Sequence, residues 1–275
     1  MLCNTNGAVS GPKHYAMPGS VESMIYKNFS PPYIVIGMHR SGTSMLAGLL
    51  HSSGIFMGND WDEHQESVFF QSINQELLKR NAANWAAPQV PSESNTVLLP
   101  TAGLLRHYLK AHVHPSQLIK LLRGNAWGWK DPRNTFTLNC WLKLFPDAKV
   151  IHIHRNGLDV ALSLSIRSKK KTANEYAETL KDTTAGFVLW EKYVAQAFSF
   201  ESALGDRMIT VQFEKLIASE ESEIRKLEAF VGRPLRSQIG ATADRTRTQR
   251  YREDEHAGLI SEARQNYWMN RLGYC

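Results

Sequence analysis

What is scarce in this chain excludes several classes of protein. No stretch approaches the roughly 18 consecutive apolar residues that a membrane-spanning helix needs. Cysteine occurs three times, as Cys3, Cys140 and Cys275, with no spacing that suggests a disulfide framework or a thiolate metal site. That usage suits a reducing compartment, so a cytoplasmic location is expected. Residues 1–32, rich in Gly, Ser, Pro and Asn, lack the basic start and apolar core of a leader peptide. They read as a loosely ordered lead-in to one domain over 33–275. No internal repeat or later linker interrupts that span.

What is present is an ordinary globular composition, 43% hydrophobic over 275 residues, enough for a core that needs no cross-links. The net charge is a mild +6, but its placement is uneven. Residues 233–252 hold six arginines (233, 236, 245, 247, 250 and 252) against one acid, Asp244. Such an apron is either solvated surface or a face turned toward an anion. Without aromatics interleaved along a strand, nucleic acid is not the expected partner.

Short apolar runs predict strands at 33–38, 126–129, 149–154 and 208–213. Helical patterns separate them at 42–53, 66–80, 135–145, 157–168, 174–203 and 222–231, the last stopped by Gly232-Arg233-Pro234. A final amphipathic segment runs over 256–271, and 84–100 reads as an exposed loop near the site. This alternation argues for an α/β chain with a mostly parallel central sheet and helices on both faces.

One stretch fixes the class further. In "YIVIGMHRSGTSMLAGLL" an apolar strand meets a glycine turn and then a helix, and Gly37 and Gly42 have the G-x4-G spacing of a phosphate-binding loop. The expected fold is therefore a three-layer, P-loop-like one. Yet Thr43 stands where the loop of nucleoside triphosphatases has its lysine, and no clear strand-end aspartate offers itself to magnesium. A nucleotide or metabolite kinase, or a nucleotide-binding protein without catalysis, is thus the alternative reading. The cation inside the loop is Arg40. With the backbone N–H groups of Ser41, Gly42, Thr43 and Ser44 and the helix dipole, it would grip one anionic group.

These residues resemble the 5′-phosphosulfate loop of sulfotransferases that use 3′-phosphoadenosine-5′-phosphosulfate (PAPS). There Lys or Arg precedes Ser/Thr-Gly-Thr-Ser/Thr. The family's second element, an arginine ending a strand and a serine eight residues on, is matched by Arg155 and Ser163 in "VIHIHRNGLDVALSL". On a helix opening near Gly157, Ser163 lies about 9 Å along the axis, within reach of the phosphate that a long arginine holds. The resemblance implies that Arg40, Ser41, Gly42, Thr43 and Ser44 hold the phosphosulfate. It assigns Arg155 and Ser163 to the 3′-phosphate, and makes PAPS the co-substrate with no metal. Arg245, with Arg247 and Arg250, could supply a second grip, although the Arg-Lys-Gly element of many soluble sulfotransferases is absent.

The carbohydrate-modifying branch of that family places a glutamate in a Glu-x-x-Phe-Phe context. Here Glu66-Ser67-Val68-Phe69-Phe70 matches it, which makes Glu66 the expected general base and a hydroxyl, on this likeness that of a sugar, the acceptor. Desolvation is expected to raise the pKa of Glu66 toward working pH. His64 and Glu63 compete for the same role. In "WGWKDPRN", Lys130 matches a family lysine that faces the sulfonate, while Asp131 and Arg133 read as a local pair that orients the turn. Trp127 and Trp129 read as core packing before ligand stacking. "MITVQFEKLI" resembles the family strand that supports the adenine side, with Phe213 and Leu216 either there or simply core. Asn266-Tyr267-Trp268 is either core or acceptor-site wall.

Overall fold

The computed structural model describes residues 29–62, 64–92, 101–169, 178–236 and 257–275. Its strands are β1 (Tyr33–Ile36), β2 (Gly128–Lys130), β3 (Lys149–His154) and β4 (Met208–Gln212). They form one parallel sheet in the order β2-β1-β3-β4. The apolar run of β1 is buried on both faces, as parallel sheets demand. Ile34 and Ile36 pack with Phe70, Trp127 and Trp129 on one side. Tyr33 and Val35 pack with Leu46, Leu49 and Leu50 on the other.

Helices cover both faces. On the Val35 side lie α1 (Thr43–Ser52), α9 (Phe213–Ile217) and α10 (Glu221–Val231). On the Ile34 side lie α2 (Val68–Arg80), α3 (Thr101–His112), α4 (Pro115–Leu122) and α5 (Asn134–Leu144). A third cluster joins α6 (Gly157–Ser168) to α7 (Thr183–Phe198). It continues into α11 (Ala257–Gln265) and α12 (Tyr267–Arg271), while α8 (Glu201–Leu204) leads back toward β4. No helix among the described residues is long and apolar enough to cross a membrane.

The topology places the site. The chain leaves β1 for β2 on one side and later fills β3 on the other, so the strand order reverses beside β1. In open parallel sheets ligands bind in the crevice outside the strand ends at such a switch point. Register brings Lys130 opposite Val35 and His152 opposite Ile36, so the ends of β2 and β3 flank the turn after β1.

Several expected elements differ in extent. Strand β2 is shifted to include Lys130 and ends before Asp131-Pro132. The helix expected over 174–203 is, where described, a short turn at Thr179–Lys181 followed by α7 and α8. Asp182 caps α7 by accepting from the N–H of Thr184. The amphipathic segment 256–271 breaks at Asn266, whose side chain accepts from the N–H groups of Trp268 and Met269. Helices α3 and α4 were not expected. His114 caps α4 and Pro115 opens it, yet Ile119 and Leu122 remain exposed, which blurs its apolar periodicity.

Candidate functional site

The turn after β1 is built by close approach. A Cβ on Gly37 would sit 2.3 Å from the carbonyl oxygen of Ile153, and the Gly37 N–H donates to Thr135 Oγ1 at 3.0 Å. Arg40 takes a left-handed conformation (φ 70°), uncommon for a residue with a side chain. Gly42 follows at φ 91°, and a Cβ there would lie 2.2 Å from the Phe213 ring. The first α1 hydrogen bond runs from Leu46 N to Gly42 O. The helix itself therefore offers no partner to the N–H groups of Thr43, Ser44 and Met45. No acid sits in its first turn. Ser41 is fully buried, and its Oγ has no partner among the described residues. A buried hydroxyl left so costs about 1–3 kcal/mol, so the loop is built for an oxygen-rich anion to complete.

The two motifs that the sequence separates meet here. Arg40 Nε donates to Ser163 Oγ at 2.9 Å, and Arg155 Nη1 donates to the Arg40 carbonyl at 3.1 Å. Arg155 is buried, with Asp159 at 3.5 Å and its guanidinium 5.1 Å over the Phe213 ring. Phe213 thus supports both Gly42 and Arg155, while Leu216 is core. Asn156 caps α6 through its side chain, and its N–H donates to Glu214 Oε1 at 2.9 Å. Glu214 Oε2 in turn accepts from the Tyr274 hydroxyl, 2.8 Å from His154 Nδ1. A hydroxyl has one proton, so His154 Nδ1–H must be the donor to Tyr274. This chain pins the Arg155–Asn156 turn from the far end of the sequence, and no local sequence signal announces it.

Beside the loop lies a buried charge cluster. Glu66 Oε1 accepts from Lys130 Nζ at 3.2 Å, and Glu66 Oε2 from Arg133 at 3.0 Å and Gln71 at 2.8 Å. Lys130 Nζ also donates to the His64 carbonyl at 2.6 Å and to Ser44 Oγ at 3.3 Å. Arg133 binds Asp131 Oδ1 at 2.9 Å, so the expected Asp131–Arg133 pair is present but extends to Glu66. The expectation of a raised Glu66 pKa is reversed. Burial alone would raise it, but the charges of Lys130 and Arg133, with the hydrogen bond from Gln71, outweigh that and hold it at about 2. Burial pushes Asp131 up to about 6 against the pull of Arg133, and lowers Lys130 despite Glu66 and Asp131. Asp131 directly follows β2. Its oxygens accept from Arg133 and from Asn74 at 2.9 Å.

The other sequence candidates fall as follows. His64 Nε2 lies 2.7 Å from Arg167 Nη2. A guanidinium only donates, so Nε2 accepts, the ring proton sits on Nδ1, and the lone pair a base would use is engaged. Glu63, Arg245, Arg247 and Arg250 lie outside the described residues. Arg236 pairs with Glu221, a solvated contact on α10. Trp127 and Trp129 are core, the latter stacked on Phe70 at 4.1 Å. Trp268 stacks on Phe198, and Tyr267 is exposed.

Sequence reasoning missed three contributors. Asp62 Oδ1 accepts from the N–H groups of His64 and Glu66, at 2.8 and 2.9 Å, and so aims the segment before α2; an Asx-turn pattern was the available signal. Arg167 reaches the site from the last turn of α6. His39, in the loop itself, has a buried Nε2 without a partner among the described residues, and its ring packs 4.7 Å from that of Trp85. Burial holds its pKa well below the usual histidine range, helped by Arg133, Lys130 and Arg167 against Glu66.

Comparison with known proteins gives the family. A family model described as "Sulfotransferase family" matches residues 31–237, a span that contains the loop, Glu66, Lys130, Arg155 and Ser163. The chain belongs to the sulfotransferase family, and its chemistry is sulfonate transfer. Among solved structures it is similar to the sulfotransferase domain of the Synechococcus PCC 7002 olefin synthase, at 17% identity and TM-score 0.48, covering 81% of this chain and 80% of that one. It is also similar to a sulfotransferase from Alicyclobacillus acidocaldarius, at 18% identity and TM-score 0.47, covering 84% and 90%. A Mycobacterium tuberculosis sulfotransferase shares 14% identity at TM-score 0.46, covering 81% and 75%. No curated protein matches the chain.

Proposed function

We propose that the protein transfers a sulfonate group from PAPS to a hydroxyl acceptor, with a sugar hydroxyl the class that the Glu66–Phe70 element favours. The observation that carries this reading is the buried Ser41 Oγ, without a partner among the described residues. It lies in a left-handed turn at the α1 N-terminus, tied through Arg40 to Ser163 and Arg155. The donor, when bound, supplies an activated sulfur–oxygen bond. Arg40, Ser41 and the N–H groups of Gly42, Thr43 and Ser44 would hold its phosphosulfate, and Arg155 and Ser163 its 3′-phosphate, with Arg245 a further grip. Lys130 faces the charge that builds as the sulfonate moves, a stabilisation strongest in the transition state. Glu66 accepts from Lys130 through one oxygen and from Arg133 through the other, so its part is to fix those two cations in place. Cations of the chain itself meet the anionic groups, so the reading requires no metal.

The test separates this from a kinase. Adenosine 3′,5′-bisphosphate at a hundred times its dissociation constant should stabilise the protein by about 2.7 kcal/mol, roughly 5–10 °C, with a chelator present. ATP with magnesium should do much less. A larger ATP–magnesium shift that chelation abolishes would put a kinase in its place. Bisphosphate binding without PAPS turnover across a panel of sugars, lipids, peptides and phenols would leave a nucleotide-binding protein.

A further inference from the structure

Sulfonate transfer to a hydroxyl requires a group that takes the hydroxyl proton, and the two expected ones that are described are both engaged. Glu66 has each oxygen bonded to a cation, and His64 Nε2 accepts from Arg167. We propose that His39 is the catalytic base, its Nε2 receiving the proton of the acceptor hydroxyl; the inference rests on the sulfonate-transfer reading above.

The turn after β1 carries two orphaned atoms. His39 Nε2 and Ser41 Oγ are both shut from solvent and without a partner among the described residues, and one residue separates them. Buried polar atoms are satisfied in finished structures, so two such atoms on one turn mark a cradle that ligand atoms complete. Ser41, at the helix N-terminus, suits the anionic donor. His39 offers a neutral ring nitrogen, which suits a hydroxyl. Its charged surroundings are Glu66, Lys130, Arg133 and Arg167, the cluster that would face the transferring group. The rings of Trp85 and Tyr193 hold it at 4.7 and 6.2 Å. They leave an apolar-walled setting in which one tautomer can be kept.

With the ring proton on Nδ1, Nε2 presents its lone pair. The acceptor O–H bond breaks and its proton passes to Nε2, while the acceptor oxygen forms its bond to sulfur. The bond from sulfur to the 5′-phosphate oxygen breaks, and its electron pair leaves with adenosine 3′,5′-bisphosphate. The imidazolium then yields its proton to water. Glu66 is the anion that steadies this imidazolium, the part a carboxylate plays beside a catalytic histidine elsewhere. A donor anion among the same cations offsets their field, which strengthens Nε2 as a base when it is needed.

The experiment compares wild type with His39→Gln and His39→Ala by two readouts. One is the melting shift produced by adenosine 3′,5′-bisphosphate. The other is PAPS turnover, with water alone and with the acceptor panel. Both variants should keep the wild-type shift and lose about 10²- to 10⁴-fold in turnover, and free imidazole should restore part of it in His39→Ala. For 4-nitrophenol, largely ionised at pH 8, the loss should be much smaller. Wild-type-like turnover in His39→Gln would overturn the proposal. So would a parallel loss of the bisphosphate shift, which would make His39 a loop-building or donor-site residue. A wild type that binds the bisphosphate yet turns PAPS over with no acceptor, water included, fails the underlying reading instead and removes the proposal with it.

Discussion

Replacing Glu66 by glutamine should disturb the charge cluster before it disturbs any chemistry. The residue is 3% exposed, and its side chain bonds to Lys130, Arg133 and Gln71. Its pKa falls from the ordinary 4.5 to about 2. At about 1.36 kcal/mol per pH unit, the fold favours the ionised form by about 3 kcal/mol. Removing one member of a buried ion pair costs about 3–5 kcal/mol by independent reckoning, so the two routes agree. Glutamine keeps the shape and loses the charge. At pH 7 the variant should therefore melt about 6–12 °C lower, at about 2–4 °C per kcal/mol. A carboxylate depressed in the fold contributes fully above the unfolded value of 4.5 and loses that contribution as pH falls toward 2. The stability gap between wild type and variant, read from urea melts, should thus shrink to under half by about pH 3. A variant within about 1 kcal/mol of wild type at pH 7, or a gap unchanged in acid, would refute the reasoning.

Arg155→Ala should weaken adenosine 3′,5′-bisphosphate binding about 10- to 150-fold, the worth of a charged hydrogen bond, and adenosine 5′-phosphosulfate far less. Equal losses by titration calorimetry would assign it elsewhere. Ser163→Ala should weaken both nucleotides, because Ser163 also accepts from Arg40 in the phosphosulfate loop; a loss confined to the bisphosphate would contradict that link. Acid should destabilise the fold early. His152 and His154 are 1% and 6% exposed and held neutral by burial, His154 at about 3 with Lys226 and Lys215 adding to the effect. The unfolded chain takes up protons below about pH 6.5 that these folded histidines refuse, so stability falls as pH drops through that value. At pH 5.5 the pair removes about 3 kcal/mol, of which Asp131, pushed up to about 6, returns under about 1 kcal/mol. Equal unfolding free energies at pH 7.5 and 5.5 would sink this account.

Much of the frame was legible because it depends on neighbours in sequence. The run before Gly37 is apolar at every position since β1 is buried on both faces, and glycine follows where the backbone must touch Ile153. The eight-residue step from Arg155 to Ser163 is helix geometry, readable from rise per residue. Strand β3 and helix α6 fall where the pattern puts them, at Lys149–His154 and Gly157–Ser168. Helix α4 was hidden because it leaves apolar side chains exposed.

Tertiary structure alone decided how those pieces act on one another. Motif spacing could name Glu66, but the direction of its pKa depends on Lys130 and Arg133, each more than sixty residues away, arriving at hydrogen-bond distance. Burial and opposite charge push a carboxylate in opposite senses, and the winner is set by how many cations converge. The same holds for His64, engaged by Arg167, and for the Arg155 turn, pinned through Glu214 by Tyr274. His39 lies between Gly37 and Gly42 in the loop. Only packing, which buried its Nε2 and left it without a partner among the described residues, distinguishes it from an ordinary turn residue. Local sequence fixes backbone conformation within a few residues; the electrostatics of a site are sums over groups that only the folded chain brings together.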